Sequence, residues 1–414
     1  MGKNLYQRGL SLLLVAGVLL SCAACGTKTA TTMHLRKTEG AVGVSDGEKV
    51  VEPKENLGLY SGYGVDTQAE SYAWIDLDEV KLTKLDQDSE IEIIKENKHL
   101  KIQVLSGSLF FNVAKPLEED EAMSIRSSTM MIGIRGTCGW VTKDEAYLLE
   151  GTVDVTAGEQ TATVTAGEVA KISSDGILTV EEFSAGDIPA FVKTELDDLE
   201  TAELNSTLEL LEEREREREW EKEQARRAAL LEVLDNNGGA SYAGLFDVDQ
   251  DGNEDLLLLN NVGQYYSFRW TAYLWNGSEV QAVDLNYSNE TLIAAGQQTT
   301  DDIYTMTAGV YHERDTGTLY VRYYGEVIGG FCSNYFVSAA GGEEIPAPFW
   351  GGGFDGTDEE YEEWERQKEL EQQEYEAELE RRFETLVELN LNGYESTEDY
   401  THTLAEVRQQ LTDE

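Results

Sequence analysis

The chain has 414 residues and is strongly acidic, with 80 Asp and Glu residues against 32 Lys and Arg and a formal net charge of −48. This length is enough for two or three domains, each with its own core. A surface of this charge repels nucleic-acid phosphates, and no arginine-rich stripe offsets it, so nucleic acid is excluded as a partner. Charge-driven binding to anionic lipid is disfavoured for the same reason. Divalent cations, basic peptides and neutral ligands such as sugars remain admissible.

Residues 1–21 have the layout of a bacterial export signal. Basic residues precede the apolar run LSLLLVAGVLLS, which is too short to span a membrane as a mature helix. The run continues into LLSCAACG, where Cys22 ends a sequence that resembles a lipobox and Cys25 is the alternative lipidation site. An ordinary cleaved signal peptide is the other interpretation. We expect an extracytoplasmic lipoprotein, anchored to the bacterial cell membrane through its N-terminal lipid, with residues 22–32 as a polar tether.

Residues 33–172 have the alternating pattern of β-strands. The stretch IEIIKENKHLKIQV alternates apolar and polar residues on both sides of a turn at 96–98, and GTVDVTAGEQTATVTAGEVAKI does so around 157–159. Alternation with period two, bounded by turn residues, is the signature of half-buried strands. Apolar periodicity of helix length is missing from these residues. We therefore predict an all-β domain.

The same residues resemble the FecR-type domain. The blocks that carry the resemblance are, in chain order, MHLRKTEGAVGV, GYGVDTQAESYAWIDLDEVKLTKLDQDSEIEI, LKIQVLSGSLFFNV, MSIRSSTMMIGIRGTCGWV and LLEGTVDVTAGEQTATVTAGEVAKI. The most telling is IRGT, residues 134–137. The resemblance implies an extracytoplasmic all-β module, which in ferric-citrate-type regulators relays an outer signal to a cytoplasmic segment that binds a sigma factor. Here an export signal precedes the module, so only the module and its compartment are expected to carry over.

Residues 187–235 are predicted to form an acidic helical spacer. The residues at 206–209, Ser-Thr-Leu-Glu, have the form of a capping box. In EEREREREWEKEQARRAALLEVL opposite charges lie three residues apart, which supports a helix, but like charges lie four apart, which does not. Most of this helix is expected to be solvated. The apolar residues that require a packing partner are Leu230, Leu231, Val233 and Leu234.

The rest of the chain is predicted to form a second globular part and a helical end. Residues 236–345 contain TAYLWNGSEVQAV, whose Asn276-Gly277 pair predicts a hairpin, so we expect a small β-rich domain. Residues 346–357 form a Pro/Gly linker. Acidic C-terminal helices follow over 358–414, the first extending over 358–389. The predicted fold is therefore multidomain and mainly β, with long charged helices.

The stretch FDVDQDGNEDLLLL, residues 246–259, predicts a calcium site. Its aspartates occupy positions 1, 3, 5 and 9 of a D-x-D-x-D-G-x-x-D loop, with Gly252 at the sharp turn. Where an EF-hand loop has its last glutamate, this chain has Leu258 within an apolar run, so the loop resembles calcium loops between β elements of extracellular proteins. The alternative is an Asp-rich turn without an ion. The candidate ligands are Asp247, Asp249, Asp251, Asn253 and Asp255.

The aromatic stretch QYYSFRWTAYLW, residues 264–275, admits two interpretations. As a strand it places Phe268, Trp270 and Ala272 on one face, which would contribute to a core. If the opposite face is exposed, it offers a stacking surface for a glycan or peptide ligand. Core packing on both faces is the alternative and the more common outcome. The candidate ligand surface comprises Tyr265, Arg269, Tyr273 and Trp275.

Other chemistry-bearing residues lack a convincing context. GVSDG at 43–47 matches G-x-S-x-G in letters but lies between short β segments, so we predict a turn. Cys138 and Cys332 fall in different predicted domains, and we expect buried apolar thiols rather than a disulfide. Arg135, within IRGT, is expected to hold neighbouring backbone or carboxylate groups. The histidines have no ligand spacing for zinc: His34, His99, His312 and His402.

The function we expect is that of a non-catalytic, lipid-anchored cell-surface protein that binds or senses a ligand and is stabilised by calcium. One alternative is a hydrolase of envelope polymers that uses a carboxylate pair as acid and base, since acidic residues are abundant. A structural surface spacer is the other alternative. A cleft with two converging carboxylates, one with a raised pKa, would favour the enzyme, whereas an exposed aromatic face would favour binding.

Overall fold

The protein is mainly β and divides into two compact units. Strands make up 44% of the structure and helices 25%, which confirms the predicted β-rich fold class. Unit 1 is Met1–Glu217, and unit 2 is Arg218–Glu414. The predicted signal peptide and both lipidation candidates lie outside the described residues. The computed structural model describes residues 31–199, 201–261, 268–285, 303–327, 331–338, 345–346, 356–391 and 399–413.

Unit 1 is built around two nine-stranded sheets, which we call sheet A and sheet B. Sheet A has the order β18-β17-β14-β13-β10-β7-β6-β1-β4, and sheet B has the order β16-β15-β12-β11-β9-β8-β5-β2-β3. The strands are β1 (Met33–Glu39), β2 (Val42–Ser45), β3 (Val50–Val51), β4 (Leu57–Leu59), β5 (Tyr63–Thr67), β6 (Tyr72–Asp78), β7 (Lys81–Leu85), β8 (Glu90–Glu96), β9 (His99–Ser106), β10 (Leu109–Val113), β11 (Ala122–Arg126), β12 (Met131–Ile134), β13 (Cys138–Val141), β14 (Glu145–Glu150), β15 (Thr152–Ala157), β16 (Gln160–Thr165), β17 (Glu168–Ile172) and β18 (Leu178–Glu182).

The alternation of apolar residues explains this two-sheet arrangement. In β8, Ile91 and Ile93 are fully buried, while the residues between and beside them are more exposed. Inward residues of both sheets form one core, in which Ile75 of sheet A joins Val65 and Ile102 of sheet B. Hairpins alternate between the sheets: β6–β7 lies in sheet A, β8–β9 in sheet B, β13–β14 in sheet A and β15–β16 in sheet B. Period-two alternation therefore produced strands, as the sequence predicts.

Two motif glycines shape the points where the chain crosses between the sheets. Gly136 lies between β12 and β13, and Gly151 lies between β14 and β15. Their φ angles are 99° and 85°, a region that glycine adopts far more readily than other residues. A Cβ at Gly136 would lie 3.0 Å from the Cα of Pro116, and one at Gly151 would lie 2.9 Å from the carbonyl oxygen of Gly136. The IRGT and LEGT blocks thus meet at one place, where their glycines permit the crossings.

Helical elements follow the sheets and pack on the outer face of sheet A. A 3₁₀ turn at Ala185–Asp187 precedes α1 (Ala190–Leu196), and α2 spans Ala202–Asn236, beginning in unit 1 and continuing into unit 2. Among the described helices, none has the length and apolarity needed to cross a bilayer. An apolar cluster joins the helices to sheet A and includes Phe110, Trp140, Leu149, Val169, Phe191, Val192, Leu196, Leu204 and Leu211.

The beginning of the predicted spacer is therefore an integral part of unit 1. Leu204 and Leu211 are fully buried, so the expectation that only the last apolar residues need a partner is wrong. The helix begins at Ala202, and the hydroxyl of Thr201 accepts the backbone N–H of Leu204 at 3.1 Å. The capping box predicted at 206–209 lies inside the helix and caps nothing. Leu204 and Leu211 are two helical turns apart in a highly charged segment, so their spacing alone did not predict that this part of the helix is buried.

Unit 2 contains a four-stranded sheet C, of order β19-β20-β21-β22, and a five-stranded sheet D, of order β26-β25-β24-β23-β27. Apolar residues of the two sheets form one core, which joins Leu257, Leu259 and Trp270 of sheet C to Val310 and Val321 of sheet D. The strands are β19 (Tyr242–Phe246), β20 (Asp255–Asn261), β21 (Phe268–Trp275), β22 (Val280–Leu285), β23 (Ile303–Glu313), β24 (Leu319–Val327), β25 (Phe331–Ser338), β26 (Ile345–Pro346) and β27 (Phe383–Asn390).

The C-terminal segment departs from its prediction. Helix α3 spans Asp358–Arg382 and ends where β27 begins, so the helix predicted over 358–389 is wrong for its last residues. Strand β27 pairs antiparallel with β23, and Leu389 lies in the core of unit 2. The helical spacing of apolar residues continues through Phe383 and Leu386, so the local pattern favours a helix there. These residues form a strand because they pair with β23, which is distant in the sequence. A further helix, α4, spans His402–Thr412.

The apolar run of β20 is buried on both faces. Leu257 and Leu259 face sheet D, while Leu256 and Leu258 join a second cluster on the opposite side of sheet C. That cluster contains the end of α2 and one face of α4: Leu230, Leu234, Val407 and Leu411. A strand covered on both faces loses the polar half of its alternation, which explains four consecutive leucines.

Replacing Gly136 with alanine tests the crossing between the sheets. In Gly136→Ala the added Cβ meets the Pro116 backbone and the residue must also hold a positive φ, so we expect a loss of roughly 2–4 kcal/mol of unfolding free energy. Gly158→Ala is the matched control, because Gly158 has φ 60° but nothing within 4 Å of its Cβ position. The control should lose only about 1 kcal/mol. If urea unfolding shows that both variants lose the same unfolding free energy, the close approach of Gly136 to the Pro116 backbone is contradicted.

Candidate metal centre

The loop of residues 247–254 connects β19 to β20 and contains most of the predicted ligands. Gly252 has φ 90°, so the chain turns sharply at the position where the sequence pattern requires it. Aspartate side chains stabilise the turn by accepting backbone N–H groups. Asp249 accepts from Asp251 at 3.2 Å, and Asp247 accepts from Gly252 at 3.2 Å. The Asp-x-Asp-x-Asp-Gly pattern thus folds through local side-chain to backbone bonds.

Three aspartates converge within this loop and at its end. Carboxylate oxygens of Asp247, Asp249 and Asp255 all lie within 4.8 Å of one another. In the part of the chain that the structure describes, they are the one group of His, Cys, Asp or Glu side chains with this spacing. Asp247 is half-buried, Asp249 is exposed and Asp255 is buried. The convergence unites the first, second and last carboxylates of the predicted loop.

Asp255 is the buried member of the trio and the first residue of β20. It is 2% exposed, and its two carboxylate oxygens accept backbone N–H groups from Val248 at 3.2 Å and Trp275 at 3.1 Å. Burial is the main cause that raises the pKa of Asp255 to about 6; the nearby charges of Asp249 and Asp251 act in the same direction, and the two N–H groups act against it. A cation at this position would offset the cost of the ionised form.

The other two predicted ligands are oriented differently. The carboxylate of Asp251 accepts the backbone N–H of Asn253 at 2.8 Å and its side-chain amide at 3.0 Å. Asp251 therefore lies outside the trio, and the Asn253 amide faces Asp251. The structure brings together three of the five predicted ligands. Asp251 and Asn253 instead close the turn that carries them.

The loop is attached at two points to neighbouring elements of unit 2. Arg226 of α2 is 6% exposed, and its guanidinium donates to the carbonyl oxygen of Glu254 and to the carboxylate of Glu223, the latter at 2.7 Å. The side-chain amide of Gln250 donates to the carbonyl oxygen of Thr316 at 3.4 Å. The sequence does not predict the burial of Arg226, because nothing in a long Glu/Arg run marks one arginine as different from the others.

The donor set suits a hard divalent cation. All three converging side chains are carboxylates, and calcium takes oxygen ligands at about 2.3–2.6 Å in flexible geometry. Three carboxylates at this separation repel each other when they are ionised, and one of them is buried. A bound cation would remove that repulsion and fix the turn. The residues present therefore fit calcium, with Asp247, Asp249 and Asp255 as the side chains that would hold it.

The aromatic face predicted on β21 is covered rather than open. Tyr265 lies outside the described residues. Tyr273 packs against the apolar cluster that α2 and α4 form on sheet C, and Trp275 is only 9% exposed. Arg269 is partly buried. The described members therefore form no open stacking surface, because helices cover this face of the sheet.

The remaining sequence candidates form no site among the described residues. GVSDG comprises the end of β2 and the turn that follows it, in which the Asp46 carboxylate accepts the backbone N–H of Lys49 at 2.9 Å. Cys138 is buried and unbridged, and burial raises its pKa; the side chain of Cys332 lies outside the described part. Arg135 is exposed and, within the described residues, makes no hydrogen bond or ion pair, contrary to expectation. The histidines join no metal-type group there.

Unit 1 contains a buried ionic cluster that is not predicted from the sequence. Lys84 of β7 is 3% exposed and forms an ion pair with Glu195 of α1 at 2.9 Å. The indole N–H of Trp74 donates to the same carboxylate at 2.9 Å. The sequence carries no signal for it, because β7 reads Lys-Leu-Thr-Lys-Leu and nothing marks Lys84 as different from Lys81.

Comparisons with known proteins identify one domain of the chain. Residues 64–170 match the family model for FecR protein. The chain therefore contains a FecR domain within unit 1, and this part of the predicted resemblance is confirmed. The match begins after the first of the blocks quoted above. No curated protein matches the sequence.

Solved structures resemble the chain only weakly. Two crystal structures of a candidate anti-sigma factor from Parabacteroides distasonis ATCC 8503 share 14% sequence identity with the chain, at TM-scores of 0.27 and 0.26. In both, the similar region covers 29% of this chain and 59% of that chain. The chain thus spans less than two thirds of the length of the structures that it matches, and the likeness is too low to support any inference about function.

The raised pKa of Asp255 predicts a pH dependence in the absence of divalent cations. Because the folded pKa of about 6 exceeds the ordinary value of 3.8, the folded state binds more protons between these pH values, so this carboxyl favours folding most below about pH 4. Its contribution falls as pH rises through 6. We therefore compare the unfolding free energies of the wild type and Asp255→Asn with a chelator present. The wild-type value minus the variant value should fall by roughly 2–3 kcal/mol between pH 4 and pH 6.5. If urea unfolding gives wild-type and variant free energies that change by the same amount with pH, the raised pKa of Asp255 is contradicted.

Proposed function

We propose that this protein is an extracytoplasmic, lipid-anchored binding or sensing protein without catalytic activity, and that calcium stabilises its second unit. The observation that carries the proposal is the FecR domain at residues 64–170, since domains of this type belong to sensing and regulatory proteins. The export-type N-terminus and the cysteines at its end support the same compartment. The carboxylate trio in unit 2 contains a carboxyl of raised pKa, but it lies on a loop and lines none of the main clefts of the described residues, so it supports calcium as the bound cation rather than a hydrolase.

Calcium suits the proposed compartment as well as the loop. Loops of this kind in extracellular modules bind calcium with dissociation constants of about 10⁻⁴–10⁻³ M. A site that weak would be empty at cytosolic calcium concentrations but filled outside the cell. With one buried and two more exposed carboxylates, the trio belongs to this weaker class rather than to high-affinity sites with six or more protein oxygens.

Calcium should raise the melting temperature of unit 2 through the trio. At a calcium concentration ten times the dissociation constant, a single site contributes about 1.4 kcal/mol, or roughly 3–5 °C for a unit of this size. In Asp247→Asn/Asp249→Asn this shift should disappear. Asp284→Asn is the matched control, because it removes one exposed aspartate from β22 of the same sheet, and it should keep the full shift.

Calorimetric melting with calcium and with magnesium measures these shifts. A calcium shift of the same size in the double variant would show that the ion binds elsewhere. No shift in the wild type at 10 mM calcium would remove calcium from the proposed function and leave the sensing role to the FecR domain.

Lipid attachment is tested separately at the two cysteines. In a bacterial host given a labelled fatty acid, the full chain should carry the label and sediment with membranes. Cys22→Ala should abolish both results, whereas Cys25→Ala should leave them unchanged if Cys22 is the lipidated residue. Labelling that survives the Cys22→Ala/Cys25→Ala double variant, or a wild-type chain that stays in the cytosol with residues 1–21 intact, would contradict the proposed anchor.

A further inference from the structure

We propose that Arg226 couples the calcium site to α2, so that calcium bound at the carboxylate trio also stabilises residues 226–236 of this helix against local opening. The inference assigns a positioning residue and a regulatory effect to the calcium site, and it rests on the calcium binding proposed above. It goes beyond that binding, because an ion can stabilise its own loop without any effect on a neighbouring helix.

Arg226 joins α2 to the peptide unit that leads into the calcium site. Within the described residues, it is the one charged side chain of α2 that is buried. Its Nη1 atom donates to the carbonyl oxygen of Glu254, while Nε and Nη2 each donate to a carboxylate oxygen of Glu223 at 2.7 Å. Glu254 directly precedes Asp255, the buried member of the trio. The guanidinium therefore holds the backbone from which the buried carboxylate projects.

The face of α2 that carries Arg226 also packs on β20. Leu230 and Leu234 lie four and eight positions after Arg226, and residues at this spacing share one face of a helix. Both leucines are fully buried and belong to one apolar cluster with Leu256 and Leu258 of β20. The helix face and the strand are therefore in contact from the loop end of the strand onward, with Arg226 at the end nearest the aspartate loop.

Opening of the aspartate loop would remove a partner from this buried guanidinium. The carbonyl oxygen of Glu254 is the acceptor that the loop supplies to Arg226, and a buried donor that loses its acceptor carries its full desolvation penalty. Without a cation, repulsion among the three carboxylates favours opening of the loop. A bound cation removes that repulsion, keeps the carbonyl in place, and so stabilises the helix that the carbonyl holds.

Charge repulsion between calcium and Arg226 does not reverse this effect, because Glu223 balances the buried guanidinium. The hydrogen bonds from Arg226 are the main cause that lowers the pKa of Glu223 to about 2, so this carboxylate is ionised at neutral pH. Arg227 also binds Glu223, but its other hydrogen bond goes to the carbonyl oxygen of Asp413 and not to the loop. Order in the loop and order in α2 therefore support each other.

Hydrogen exchange of the full mature chain, followed by mass spectrometry with and without calcium, tests this coupling. At about ten times the dissociation constant, calcium should slow exchange in residues 226–236 by roughly five- to tenfold, because their opening must also release the ion. Residues 358–370 of α3 serve as the internal control. They are largely exposed and open without disturbing the loop, so their exchange should not change.

Arg226→Met tests whether the guanidinium carries the coupling. It keeps a long side chain but removes the donors, so calcium should still slow exchange in residues 246–255 but no longer in residues 226–236. Because linkage is reciprocal, calcium should bind this variant roughly fivefold more weakly. Arg227→Gln is the matched control, since Arg227 is adjacent on α2 and binds Glu223 without contacting the loop. It should behave as the wild type does.

The wild-type measurement decides even if Arg226→Met does not fold. Slower exchange in the loop without slower exchange in residues 226–236 would overturn the coupling and leave the calcium site intact. The coupling would also be overturned by equal slowing in α3, by a full calcium response in Arg226→Met, or by an equal loss of response in Arg227→Gln. If calcium slows exchange in neither the loop nor the helix, the calcium site itself is wrong, and the coupling is wrong with it.

Discussion

The buried carboxylate of Asp255 ties the aspartate loop to the rest of unit 2. By accepting the N–H groups of Val248 and Trp275, it fixes the loop against the end of β21, while Arg226 of α2 holds the neighbouring carbonyl of Glu254. These bonds satisfy polar groups that would otherwise be buried without partners. They also keep an acidic group in a position where its charge is poorly solvated and close to two other carboxylates. The proposed calcium binding would use this constraint, because the fold brings the three carboxylates together in the absence of an ion.

In unit 1 the comparable constraint is Lys84, which joins sheet A to α1. The FecR match ends at residue 170, yet the cluster around Leu204 and Leu211 buries the following helices on the same sheet. The helices are therefore structural members of the unit and not merely a connection to the next one.

Sequence patterns determined most of the strands but few of the long-range contacts. Alternation predicted the β core of unit 1, and the Asp-x-Asp-x-Asp-Gly pattern predicted the turn that brings Asp247 and Asp249 near Asp255. The same patterns could not show that Asp251 points away, because that depends on a local bond to Asn253. They also could not distinguish helix from strand at 383–390, where pairing with β23 decides. Burial of Lys84 depends on a helix more than 100 positions away along the chain, so no local pattern contains it.

Terbium luminescence measures the occupancy of the carboxylate trio most directly. Terbium binds at calcium sites and emits when a neighbouring tryptophan is excited, and the backbone of Trp275 donates directly to Asp255. Excitation of tryptophan should give emission that saturates at one terbium per chain and falls when calcium is added in excess. Asp247→Asn/Asp249→Asn should lack this emission. Emission that never saturates, that calcium does not displace, or that persists in the double variant would contradict a calcium site at Asp255.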